Sequence, residues 1–122
     1  MSKIYIAGPM AGVADYRKRF ARAEEKLRSM GHTVINPAVL PEGLAHEDYM
    51  RICLAMVDAA ELVCMLPGWG KSAGARIEYA YAKYNGKGIM GYVPSDSVTY
   101  KNDVRFGLVH PDQHPVVFFS EE

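Results

Sequence analysis

Leu62-Val63-Cys64-Met65-Leu66-Pro67-Gly68-Trp69-Gly70-Lys71-Ser72-Ala73-Gly74-Ala75-Arg76-Ile77-Glu78 is the stretch on which the fold turns. Residues 62–66 are an unbroken apolar run, the pattern of a strand buried on both faces. Pro67 to Gly70 are turn formers, and Ser72 is a good N-cap, so a helix follows at once. On that helix Glu78 lies four residues after Gly74, so the two share a face. Helical side chains lean back toward the N-terminus. The Glu78 carboxylate therefore projects over Gly74, where no side chain blocks it. An anionic ligand group fits the helix N-terminus near Ser72. Ser72 and Glu78 are separated by roughly 9 Å of helix rise, a span that suits a sugar phosphate.

The same alternation extends in both directions. Lys3 to Gly8 reads as a buried strand, broken by Gly8-Pro9-Met10-Ala11-Gly12. Asp15 to Met30 has the spacing of an amphipathic helix, with Phe20, Ala23, Leu27 and Met30 inward and Gly31 as its stop. His32 to Asn36 is a second strand, ended by Pro37. A loop follows, and then His46 to Ala60 as a second helix with Met50, Leu54 and Val57 inward. Glu61 to Leu66 is the third strand and Ser72 to Tyr84 the third helix. Gly88 to Val93 and Pro115 to Phe119 read as strands four and five, with a short helix plus loop between Ser95 and Gln113. Strands alternating with helices predict an α/β fold with a parallel sheet, covered on both faces through right-handed crossovers. Ligands of such folds bind beyond the carboxyl ends of the strands. The loops after strands one and two, the turn before Ser72, and Glu78 itself converge there.

Composition narrows the function. With 122 residues the chain is expected to form one domain, 1–122, and an apolar fraction of 49% argues against disorder. Fourteen basic and fourteen acidic residues cancel, which argues against a nucleic acid polymer or an anionic membrane as partner. No apolar run is long enough to span a bilayer, and the N-terminus lacks a signal-peptide pattern. Cys53 and Cys64 read as buried thiols of a reducing cytoplasm. The four histidines show no ligand spacing, so neither a metal nor a cofactor is expected.

Four motifs stand in order along the chain: Lys3-Ile4-Tyr5-Ile6-Ala7-Gly8-Pro9-Met10; Gly31-His32-x-Val34-x-Asn36-Pro37; Leu66-Pro67-Gly68-Trp69; and Ser72-x-Gly74-x-x-x-Glu78-x-x-x-Ala82. Together they resemble the nucleoside 2-deoxyribosyltransferase superfamily, and within it a small branch found widely in phages and bacteria. The resemblance weakens after Val93. It implies a three-layer, flavodoxin-like sandwich with a five-stranded parallel sheet, usually as a homodimer or larger assembly. It also implies cleavage of an N-glycosidic bond by a glutamate nucleophile, here Glu78, positioned by the first-strand tyrosine, here Tyr5. Free-nucleoside transferases carry an aspartate at the position of Ser72, whereas enzymes similar to 2′-deoxynucleoside 5′-phosphate N-hydrolases carry serine. A serine at a helix N-terminus suits a phosphate, so a nucleotide is expected rather than a nucleoside. Gly8, Met10, Asn36, Ser72, Gly74 and Asn102 complete the expected substrate-binding set, Asn102 as a position that reaches a neighbouring subunit's site.

Two positions depart from the pattern. Cys53 stands where the resemblance implies an acidic partner in the second helix, and Ala11 stands where the nucleotide hydrolases place an arginine. Lys71, Arg76 or Arg17 could supply that charge. A thiol cannot easily donate a proton to a leaving base at neutral pH. The alternative function is therefore a nucleotide-binding protein that retains the pocket without the chemistry. A third is cleavage of a larger N-glycoside of the NAD type. Several residues also have plainer roles: Asn36 can brace its own loop, Trp69 can stack a base or fill an interface, and Tyr79, Tyr81 and Tyr84 suit packing.

Overall fold

The structure, a computed structural model, describes residues 1–94 and 116–121, with side chains through residue 92. Strands β1 (Lys3–Ala7), β2 (Thr33–Ile35), β3 (Leu62–Met65), β4 (Gly88–Pro94) and β5 (Val116–Glu121) join in the order β2-β1-β3-β4-β5. Every neighbouring pair is parallel, with Ile4 opposite both Val34 and Leu62. This is the flavodoxin-like order, in which the chain reverses its direction of travel at β1 and β3.

Helices α1 (Tyr16–Ser29), α2 (His46–Ala59) and α3 (Ala73–Tyr84) make the crossovers. Right-handed connections put α1 on one face, because β1 to β2 steps one way, and α2 and α3 on the other, because the later steps go back. Alternation along β1 divides the core accordingly. Ile4 and Ile6 pack with Phe20, Ala23 and Leu27 of α1. Tyr5 and Ala7 turn the other way, against Cys53 and Val57 of α2 and Ala75 and Ala82 of α3. Tyr5 is thereby delivered to the layer that carries Glu78.

The expected elements are present with bounds shifted by a residue or two. Met30 is half-exposed rather than inward, because α1 ends before it and it serves as the C-cap. On α2 the fully buried stripe is Met50, Cys53 and Val57, with Leu54 only partly covered. The segment 95–113, expected to hold a short helix, lies outside the described residues, and so does Asn102. Among the described residues no helix is long and apolar enough to cross a membrane.

Candidate active site

Two close approaches fix the loops at the carboxyl ends of β1 and β3. A Cβ on Gly8 would lie 2.8 Å from Leu66 Cβ, so glycine is what lets the first loop lie against the end of β3. Gly68 takes φ 87°, a left-handed conformation that turns the chain into the short 3₁₀ segment Trp69–Lys71. Ser72 then caps α3, accepting a hydrogen bond from the Ala75 amide at 3.2 Å. Its hydroxyl keeps a donor for a ligand.

These loops enclose a pocket of about 350 Å³, within the ~300–1,000 Å³ range of small-molecule sites. Gly8, Met10, Ser72, Gly74 and Glu78 line it, together with Leu40, Leu44, His46, Tyr49 and Met50. Of the residues expected to bind substrate, Gly8, Met10, Ser72 and Gly74 are thus brought together with Glu78. Asn36 is not among them. Its side chain accepts from the Ala38 amide at 2.8 Å and donates to Glu24 at 2.9 Å, beside a separate groove against α1. It caps the 3₁₀ turn Pro37–Val39, a local use that asparagine favours. Of the three cations considered for the missing arginine, none lines the pocket. Arg17 instead donates to the Ala38 and Leu40 carbonyls, both at 3.1 Å, and pins the pocket's outer loop. Trp69 stacks on Tyr79 at 4.6 Å between ring centres, which is a packing role.

Glu78 is 5% exposed, yet its carboxylate reaches the pocket. Tyr5 lies behind it, fully buried, and donates its phenolic hydrogen to Glu78 Oε2 at 2.6 Å, a short charge-assisted bond. Burial pushes the Glu78 carboxyl up to about 7, while hydrogen bonds from Tyr5 and Cys53 pull the other way. Burial, then the Glu78 charge, pushes the Tyr5 phenol far above its usual value, so it stays protonated and remains a donor. Tyr5 does not line the pocket; it orients the carboxylate. Cys53 faces the same pair from α2, and burial, with the Glu78 charge adding to it, pushes its thiol up to about 11. The group beside Glu78 is therefore a neutral thiol.

His46 and Tyr49, which belong to no motif of the sequence, also line the pocket. The Tyr49 hydroxyl contacts Met10 Sδ at 2.6 Å and the Pro37 carbonyl at 3.2 Å, which ties α2 to both loops. The available signal was their spacing: positions 46, 49, 50 and 53 make one helical stripe. Among the described residues no group of three His, Cys, Asp or Glu side chains could hold a metal ion.

The α/β fold with its parallel sheet in the order β2-β1-β3-β4-β5 is one that the chain shares with known enzymes. Two solved structures share that fold. One is the CMP N-glycosidase BcmB of Clostridium botulinum, at 18% identity and TM-score 0.61, covering 98% of this chain and 89% of that one. The other is the 2-deoxyribosyltransferase of the psychrotolerant bacterium Bacillus psychrosaccharolyticus, at 24% identity and TM-score 0.61, covering 79% of this chain and 75% of that one. No curated protein matches. The chain belongs to the family described as a domain of unknown function, DUF4406, whose model matches residues 2–91.

Proposed function

We propose that the protein cleaves or transfers across the N-glycosidic bond of a nucleotide, with a 2′-deoxynucleoside 5′-monophosphate as the favoured substrate. The observation that carries this is the Glu78 carboxylate: nearly buried, open to the pocket on one side and held by Tyr5 at 2.6 Å on the other. In its ionised form Glu78 attacks the anomeric carbon. The bond to the base breaks, the base leaves with the bonding electrons and takes up a proton, and a glycosyl ester of Glu78 remains. Water then releases the sugar phosphate and regenerates the carboxylate, or a second base captures the sugar. The phosphate end is assigned to Ser72 and the start of α3, where helix polarity favours an anion. The names of the two structural neighbours, an N-glycosidase and a deoxyribosyltransferase, support the same bond as the target. The working form is taken to be a homodimer or larger assembly in the cytoplasm, with Asn102 reaching a neighbouring site.

The test is base release. Purified protein is incubated with ribo- and deoxynucleoside 5′-monophosphates and with the free nucleosides, beside Glu78→Ala and Glu78→Gln. Free base from wild type alone, and from phosphorylated substrates alone, is the expected result. Equal release by the Glu78 variants would sink the assignment.

Cys53 favours a second reading. A thiol at about 11 stands beside Glu78, where the resemblance implies a carboxylic acid, so help for the leaving base is weak. A protein that binds a nucleotide in this pocket without cleaving it would show stoichiometric binding and no free base.

A further inference from the structure

The two helices that wall the pocket run side by side, and two pairings between them fix their relative register. Met50 Sδ lies 3.4 Å from where a Cβ on Gly74 would be, so Met50 faces Gly74. One turn further along both helices, Cys53 faces Glu78, and each shifts the other's titration. One turn in the opposite direction from Met50 is His46, on the same stripe of α2 because it is four residues earlier. Two residues before Gly74, about half a turn, the other helix reaches its entrance, where Ser72 is the cap. His46 and Ser72 thus stand at the same end of the pocket, and both line it. Four residues separate His46 from Met50, about 6 Å of helix rise, so His46 lies one turn toward the entrance of α3 from the level of Gly74, over which the carboxylate projects.

Among the described residues lining the pocket, His46 is the only side chain that can carry a positive charge. The carboxylates of the lining are Glu78 and Glu42, and Arg17 draws Glu42 aside in an exposed pair at 3.8 Å. An imidazole offers at least one N–H donor in either protonation state.

We propose that His46 is the phosphate contact of this pocket, acting with the Ser72 hydroxyl and the first amides of α3. It occupies the role that the position of Ala11 leaves open, and it sets the preference for phosphorylated over unphosphorylated ligands. The proposal rests on the nucleotide reading above for its ligand class but not on turnover.

The experiment is calorimetric binding of the four 2′-deoxynucleoside 5′-monophosphates, CMP, their nucleosides and 2-deoxyribose 5-phosphate to wild type, His46→Ala and His46→Gln. Thermal unfolding of each protein checks the fold. Losing one charge-assisted hydrogen bond is expected to weaken the phosphorylated ligands by roughly tenfold to a hundredfold and to leave the nucleosides unchanged. His46→Gln, which keeps an N–H donor without the charge, should fall between. Equal weakening of nucleosides and monophosphates, or no weakening of either, would overturn the proposal, as would wild type that binds monophosphates no tighter than nucleosides. If wild type binds monophosphates in a His46-dependent way and releases no base, His46 stands and the glycosidase reading falls. If base is released and His46→Ala has an unchanged KM for monophosphates, the reverse holds.

Discussion

Replacing Glu78 by glutamine should stabilise the protein at the pH where it destroys the chemistry. The Glu78 carboxyl is held near 7 in the fold, against an ordinary 4.5. The folded protein thus binds this proton more tightly than the unfolded chain does. Stability is fullest below about 4.5, declines as the pH rises toward 7, and is level above that. At ~1.4 kcal/mol for each tenfold difference in proton affinity, the ionised carboxylate costs the fold about 3 kcal/mol above neutrality. Glutamine keeps an oxygen to accept from Tyr5 and has no charge to desolvate. Urea unfolding of wild type and Glu78→Gln at pH 5 and pH 8 isolates the effect, because every other titrating group cancels in the double difference. The variant should gain about 2.5 kcal/mol on wild type between the two pH values, since part of the cost is already present at pH 5, or on the order of 10 °C in Tm for a domain of this size. A difference that is the same at both pH values, or a variant less stable at pH 8, would refute the claim that the site holds its carboxylate under strain.

Three further outcomes are expected. Base release by wild type should rise with pH around a midpoint near 7, as Glu78 ionises; Tyr5→Phe removes a bond that favours the carboxylate and should move that midpoint up by roughly one pH unit, read from the kcat/KM profile. Cys53→Asp places a proton donor beside Glu78 and should raise base release by roughly a hundredfold if leaving-group protonation limits the rate; an unchanged rate from a folded variant would mean that the thiol is not the bottleneck. Gly8→Ala puts a methyl 2.8 Å from Leu66 Cβ and should cost about 1–3 kcal/mol in denaturant unfolding, with weaker ligand binding because the loop carrying Met10 must move.

The parts of the site that follow from a local period were legible in the sequence. The i, i+4 spacing of Gly74 and Glu78 and the cap at Ser72 are properties of one helix, and all three line the pocket. The partnership of Tyr5 with Glu78 came only from the resemblance, since strand alternation gives the face of a side chain but not what crosses to meet it. Asn36 admitted two uses, a ligand contact from its motif and a brace for its own loop; its side chain makes the second, accepting from the amide two residues on. His46 was missed because a lone histidine at a helix start carries no pattern alone. It acquires meaning only once Met50 is known to face Gly74, which is a fact of tertiary register. Arg17 was available as a charge, but two carbonyls of the following loop claim it.

The order of the strands also dictates when the site can exist. The contact between β1 and β2 closes at a separation of 30 residues, the link from Lys3 to Glu61 at 58, and the bond from Tyr5 to Glu78 at 73. Longer separations cost more chain entropy before they are rewarded, so pairing is expected to proceed outward from the β1–α1–β2 unit. Until α3 docks, Tyr5 is an aromatic side chain on a sheet face that α2 alone covers only in part. The residues that hold the carboxylate are therefore also what the half-made chain leaves open to misassembly, and the docking of α3 both completes the site and closes that face.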